Sequence, residues 1–419
     1  MNFSINKQCY LFLICFGAIL VSSGFISVNS DWGFFGHRRI NRLAVFTLPP
    51  EMTIFYRQHI EYVTEHAVDP DKRRYAVKGE DIKHYIDIDH WGTFPFENVP
   101  RDWTDALMQY TTIYGVNRSG DTLQLAQEDK TVNPDARLVY LQDQNSGEKW
   151  TIDKKQYRDF FRYNIQPLYG EEEPWTLNSD SLNTVLEQKD DFMDVWAVDH
   201  FSEYGILPYN LLWMKNRLTR AFASKDVNNI LRLSSDIGHY IGDAHVPLHT
   251  TENYNGQLTN QVGIHAFWES RLPELFADEA YDFFVGKAAY IDDPKAYFWD
   301  IVLASHSLLD SVLVIEKSLS LSYPSDQQFC FEERLDVVVR TQCREYARTY
   351  HDRMAGMVET RMRDAIHSVG NIWYTCWVDA GQPNLRDLVV SPLSREEQKA
   401  QEALEAKYRA GIHIGRKHE

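Results

Sequence analysis

The sequence predicts an all-α protein, with a multi-helical core and an irregular or partly β insertion at about residues 94–194. Apolar residues recur at three- and four-residue spacing before the insertion, as at Ile40, Leu43 and Ala44, and over most of the chain after it. Hydrophobic residues make up 44% of the 419 residues and charged residues 25%, which is typical of globular proteins and excludes a disordered or fibrous chain.

Each predicted element follows from its local pattern. Residues 32–90 read as helices interrupted by Pro49 and Pro50. Inside the insertion, residues 137–142 and 150–152 flank a turn at Asn145–Gly147 and predict a short β-hairpin. Helical periodicity returns over 206–222, 227–244, 264–276, 296–321 and 332–369. We therefore expect one folded domain over residues 31–390 and a charged helical tail over 391–419.

The first 30 residues are typical of a secretory signal peptide. Lys7 precedes an apolar stretch over residues 10–21, and small polar residues follow up to Ser30. Because no later segment has the length and apolarity of a membrane span, we predict a secreted or periplasmic protein with no integral membrane segment. The three cysteines after the signal predict at most one disulfide and no cysteine metal site.

The net charge of −17 argues against non-specific binding to a polyanion. Nucleic-acid-binding proteins usually carry a basic face that releases phosphate counterions, and the sequence has no comparable run of Lys and Arg. An acidic enzyme acting on phosphates through bound metal remains compatible with this charge.

Three histidines stand four residues before an acid, the spacing that places both on one helix face. A chain with 60 acidic residues contains such pairs by chance, and we interpret His306 with Asp310, in an apolar helix, as structural. The other pairs, His239 with Asp243 and His265 with Glu269, lie close together in the chain. His249 lies between them, so that two imidazoles and a carboxylate, His249, His265 and Glu269, match a catalytic zinc site.

Two weaker groupings lie nearer the N-terminus. Trp32 precedes His37 by five residues, and Asp69 precedes His84. A buried histidine or an aspartate capping a helix would explain either grouping without a metal.

Three segments together carry a resemblance to a known superfamily: HYIGDAHVPLH at 239–249, WGFFGH at 32–37 and KHYIDID at 83–89. They resemble the superfamily that contains bacterial zinc-dependent phospholipase C and the fungal single-strand-specific nucleases. The resemblance implies an all-helical exported enzyme, a zinc-dependent hydrolase acting on phosphoric ester bonds, with three zinc ions. The insertion and the end of the chain after about residue 370 match nothing in that superfamily.

By this resemblance, the zinc ligands are imidazoles, carboxylates and one backbone amine. One ion would be held by Asp69, His84, His239 and Asp243, a second by the Trp32 backbone, His37 and a bridging Asp243, and a third by His249, His265 and Glu269. The family spacing selects Asp69 for the first ion, and Asp71 competes for the same position.

The mature N-terminus departs from the family pattern. In the family the tryptophan is the first residue after cleavage, and its free amine binds metal. A cut after Ser30 would leave Asp31 in front of Trp32 and turn that amine into an amide. Either processing removes Asp31, or the second zinc is altered or weak.

The resemblance also implies a mechanism in which a metal-bound hydroxide attacks phosphorus and no protein nucleophile is needed. Asp69 would orient the attacking water as well as bind metal. Arg73 would contact the phosphate, or else be a solvated charge. Tyr85 follows His84 where the nucleases stack a base, and the ring would equally pack in the core or face a choline cation.

The substrate is predicted to be a phosphodiester, with phospholipid preferred over single-stranded nucleic acid. Glu269 replaces the aspartate of the nucleases, and their Gly-Gly-Asn and Asn-Leu-His elements are missing from this part of the sequence. Two alternatives remain open: a single-strand-specific nuclease or nucleotidase, and a non-catalytic, metal-stabilised binding protein.

Overall fold

The prediction of an all-α class is wrong, because the structure combines helices with two β-sheets. The structure, a computed structural model, describes residues 34–127, 137–171, 174–187, 192–334, 337–386, 388, 395–411, 414 and 416. The insertion carries a six-stranded antiparallel sheet, and a separate two-stranded sheet lies later in the chain.

The α-helices are α1 (Phe34–Ala44), α2 (Pro50–Gln58), α3 (Ile60–Glu65), α4 (Asp69–Arg73), α5 (Trp103–Tyr110), α6 (Lys154–Phe160), α7 (Ser179–Leu186), α8 (Leu207–Ser224), α9 (Val227–Ala244), α10 (Ile264–Ala266), α11 (Leu272–Ala280), α12 (Pro294–His306), α13 (Leu309–Ser322), α14 (Arg344–Arg353), α15 (Met357–Asp379) and α16 (Arg395–Ala410). The strands are β1 (Thr111–Asn117), β2 (Thr122–Gln127), β3 (Leu138–Asp143), β4 (Lys149–Asp153), β5 (Trp175–Leu177), β6 (Phe192–Asp199), β7 (Phe329–Arg334) and β8 (Val337–Gln342).

The large sheet has the strand order β4-β3-β2-β1-β6-β5. The predicted hairpin is confirmed as β3 and β4, in which Leu138 pairs with Asp153. Alternate residues such as Leu123 and Leu125 of β2 are buried in the main core, and helices α5, α6 and α7 contact the sheet. The insertion is therefore a mixed α and β unit, in which strands such as β2 and β3 bury alternate residues.

The helical core is built around α9, which packs against α1, α8 and α15. The side chain of Asp226 caps the start of α9 by accepting a hydrogen bond from the backbone N–H of Asn229. Gly242 lets α1 approach α9, because a Cβ at this position would lie 2.9 Å from Nδ1 of His37. The absence of a side chain at Gly242 thus places His37 against α9.

Two of the predicted long helices are divided. The stretch 296–321 forms α12 and α13, and the stretch predicted as one helix over 332–369 begins in the hairpin of β7 and β8. A disulfide between Cys330 and Cys343 joins the ends of that hairpin, and Cys376 is the free cysteine among the described residues. The expectation of at most one disulfide is confirmed for this part of the chain. The predicted tail helix is confirmed as α16.

One helical stretch, Pro294–Ser322, is long and apolar enough to cross a membrane by length and composition alone. In its most apolar window, 44% of the residues are buried inside the fold, and the core helices of soluble proteins pass the same test. The absence of a membrane segment after the signal therefore stays a prediction.

Candidate metal centre

The end of α9 and the turn after it place three side chains in the interior. His239 and Asp243 are one helical turn apart on the same face of α9, and both are buried. Pro247 opens the 3₁₀ turn Pro247–Thr250, which carries the buried His249. The helix ends before this proline, so His249 turns back toward the face that holds the first two residues.

Asp243 connects two groups of potential metal ligands. Its Oδ2 lies 3.0 Å from Nδ1 of His84 and 3.3 Å from Nε2 of His239, and its Oδ1 lies 3.4 Å from Nε2 of His37. The carboxylate of Asp71 lies 3.8 Å from His84 and 3.7 Å from His239. The two groups are therefore His37 with His239 and Asp243, and Asp71 with His84 and His239.

The third group consists of His249, His265 and Glu269. Oε2 of Glu269 lies 2.8 Å from Nε2 of His265 and 3.2 Å from Nε2 of His249. Oε1 of Glu269 lies 3.5 Å from Nε2 of His37. Glu269 thus joins the third group to the first, and the side chains form one continuous cluster.

Backbone carbonyls orient three of the imidazoles. A carbonyl accepts but does not donate a hydrogen bond, so the facing Nδ1 carries the proton and Nε2 presents its lone pair to the cluster. The pairs are His239 with Ala67 at 2.8 Å, His249 with His84 at 2.6 Å, and His265 with Tyr254 at 3.1 Å. This arrangement is the one in which histidines bind metals through Nε2.

The electrostatics of the cluster favour neutral imidazoles. Burial lowers the pKa of His239 to about 3, with a further contribution from His37. Burial also lowers the pKa values of His84 and His249. These rings are therefore unprotonated at neutral pH, as ligation requires.

The carboxylates of the cluster repel one another. Burial raises the pKa of Asp243 well above its usual range, and the neighbouring carboxylates of Asp71 and Glu269 raise it further. A divalent cation in the cluster would offset this repulsion. The donors are nitrogen and oxygen without thiolate, a set that suits zinc. The residues present thus fit a metal ion.

The structure brings together most of the predicted ligands but not Asp69. The Asp69 carboxylate lies 2.6 Å from Nδ1 of His66 and 3.6 Å from Nζ of Lys72, outside all three groups. Asp71, the competing residue, occupies the place expected for Asp69. Trp32, predicted as a ligand through its backbone, lies outside the described residues, as does Asp31.

Arg73 pairs with two carboxylates, neither of which belongs to the three ligand groups. Its guanidinium donates to Glu80 at 3.0 Å and to Asp236 at 3.1 Å, and both carboxylates are nearly inaccessible to solvent. The guanidinium of Arg73 is also not simply solvated, because both carboxylates accept hydrogen bonds from it. Arg73 instead neutralises two buried acids.

Tyr85 is buried, and its hydroxyl donates to the carbonyl of Glu203 at 3.1 Å. The guanidinium of Arg416 lies over the Tyr85 ring, 4.0 Å from its centre, and over the Tyr254 ring, 3.6 Å from its centre. Tyr254 and Arg416 were not predicted from the sequence. A cation does meet the Tyr85 ring, but it belongs to the protein's own tail.

No protein-family model and no curated protein matches the chain.

Proposed function

We propose that the protein is an exported zinc-dependent phosphodiester hydrolase of the phospholipase C type. The observation that carries the proposal is the continuous cluster of three ligand groups, joined through Asp243 and Glu269. Metal centres with two or more neighbouring ions stabilise both the attacking and the leaving oxygen when a phosphodiester is hydrolysed. A structural zinc site would need only four ligands and no shared carboxylate.

Eight side chains would hold the metal: His37, Asp71, His84, His239, Asp243, His249, His265 and Glu269. Bound zinc supplies Lewis acidity and lowers the pKa of water to about 7. We assign the orientation of the attacking water to Asp71, because its side chain is 21% exposed while that of Asp243 is 2% exposed. In our proposal Asp71 takes the role that the sequence suggested for Asp69.

Two observations favour a lipid over a nucleic acid. The chain between His249 and His265 exposes the apolar side chains of Leu258 and Val262, which in our proposal contact the acyl chains. The net charge of −17 disfavours a long polyanion. Both observations concern binding, so the reaction at phosphorus would be the same for either substrate.

Activity assays on the zinc-loaded full chain test this proposal. We expect hydrolysis of phosphatidylcholine vesicles to diacylglycerol and phosphocholine, and of bis(p-nitrophenyl) phosphate as a generic substrate, with both activities lost in excess chelator. Single-stranded DNA should be cleaved at least roughly tenfold more slowly, because charge repulsion weakens its binding.

The assay separates the alternatives. Cleavage of DNA without cleavage of lipid would overturn the substrate class and favour a nuclease. A zinc-loaded protein that hydrolyses none of the three substrates, and binds fewer ions than there are ligand groups, would instead be a metal-stabilised binding protein.

A further inference from the structure

The side chain of Arg416 packs over two aromatic rings and against a carboxylate. Its guanidinium lies 4.0 Å from the ring centre of Tyr85 and 3.6 Å from that of Tyr254. Nη1 donates to both oxygens of Asp87, at 2.9 and 2.7 Å, and Nη2 donates to the carbonyl of Thr251 at 3.3 Å. Two aromatic faces and one carboxylate form an arrangement that binds organic cations.

The cage formed by Tyr85, Tyr254 and Asp87 lies directly beside the metal centre. Tyr85 follows the ligand His84 in the chain, and the carbonyl of Tyr254 binds Nδ1 of the ligand His265. The cage borders an open cavity of about 450 Å³.

The cavity is acidic. Besides Asp87, the residues around it include Asp81, Glu203 and Glu252. An acidic wall favours a cation and disfavours a free anion, so the group that binds in the cage is positively charged.

The tail is attached to the body at several points besides the cage. The backbone N–H of Arg416 donates to Asp81 at 2.9 Å, and its carbonyl accepts from Nη2 of Arg74 at 2.7 Å. The N–H of Ile414 donates to the carbonyl of Arg74 at 3.2 Å. Helix α16 contacts α4 through Glu405, which lies 3.4 Å from Lys72. The C-terminal segment is therefore fixed against α4, the helix that also carries Asp71.

We propose that Tyr85, Tyr254 and Asp87 form a binding site for an organic cation, and that the C-terminal tail occupies this site with Arg416 as an intramolecular competitor. A ligand that carries a guanidinium or quaternary ammonium group displaces Arg416.

Calorimetric binding of methylguanidinium to the full chain tests the proposal without any need for hydrolysis. We expect Arg416→Ala to bind methylguanidinium at least roughly tenfold more tightly than the wild type. In the wild type Arg416 fills the site, and the apparent affinity for an added ligand falls in proportion to the fraction of molecules whose site is vacant. Adding Tyr254→Ala to this variant should abolish the gain. Arg409→Ala, which removes an exposed arginine of α16, should bind as the wild type does.

Hydrogen exchange of the wild-type protein provides a second test that requires no variant. Methylguanidinium should speed exchange at the backbone amides of Ile414 and Arg416, which are hydrogen-bonded to the body of the protein. An Arg416→Ala variant that binds the probe no better than the wild type, or tail amides that do not respond, would overturn the proposal. If both tests succeed while no variant hydrolyses a phosphodiester, the cation site stands and the proposed function fails.

Discussion

Replacing Asp243 with Asn should remove most of the metal and reduce phosphodiester hydrolysis by on the order of 10³-fold, the factor that corresponds to the several kcal/mol that a catalytic metal contributes. Asp243 faces His37 with one oxygen and both His84 and His239 with the other. An amide keeps the shape but supplies no negative charge and only one acceptor oxygen. Zinc content by elemental analysis and the rate on bis(p-nitrophenyl) phosphate measure the effect.

The substitution should not destabilise the metal-free fold. Since burial and the carboxylates of Asp71 and Glu269 raise the pKa of Asp243, its ionised form is unfavourable without a cation, and a neutral amide relieves that repulsion. The zinc-dependent rise in melting temperature should disappear, because it reflects ligand binding to the native state.

Asp226→Asn is the matched control on the same helix. Asparagine caps a helix as well as aspartate does, so metal content, activity and melting temperature should stay at wild-type values. An Asp243→Asn protein that keeps its full zinc content would contradict the bridging role of this residue.

Replacing Arg73 with Ala should lower the free energy of unfolding by about 3 kcal/mol, the lower end of the range for breaking a buried ion pair. The loss stays at the lower end because Lys83 remains 2.6 Å from Glu80 and Arg232 remains 3.8 Å from Asp236. The side chains of Glu80 and Asp236 are only 2% and 5% exposed, and Arg73 donates a hydrogen bond to each. Chemical denaturation monitored by tryptophan fluorescence measures the change. For the folded fraction, zinc content and KM should remain as in the wild type.

Arg232→Ala is the control for this prediction. Arg232 lies 3.8 Å from the same Asp236, but its side chain is 46% exposed, so its loss should cost no more than about 1 kcal/mol. If Arg73→Ala raised KM without lowering stability, Arg73 would be a phosphate ligand after all, as the sequence suggested.

The sequence predicted much of the candidate centre, because most of its ligands lie within local motifs. His239 with Asp243, and His265 with Glu269, are each one helical turn apart, and this spacing alone places each pair on one face. The choice between Asp69 and Asp71 could not be made in the same way. Residues that are two positions apart on a helix are rotated by roughly 200° about its axis. Asp71 therefore faces the cluster, and Asp69 faces His66. Only the packing of α4 decides which.

The large sheet and the cation site could not be predicted from local sequence patterns, because both depend on contacts between residues far apart in the chain. The central strands β1 and β6 pair across the whole insertion, with Thr111 opposite Asp199, and short strands of this kind give weak periodicity. The tight hairpin of β3 and β4 was visible because its turn is local. Arg416 is distant in the chain from Tyr85 and Asp87, and nothing in the tail sequence indicates where it docks.

Zinc-edge anomalous diffraction from crystals of the zinc-loaded full chain would locate the metal directly. We expect strong anomalous peaks within the cluster, bound by His249, His265 and Glu269 and by the two groups that share His239. A map with no zinc peak among these side chains, in crystals where they hold the positions described above, would contradict a metal centre and with it the proposed hydrolase.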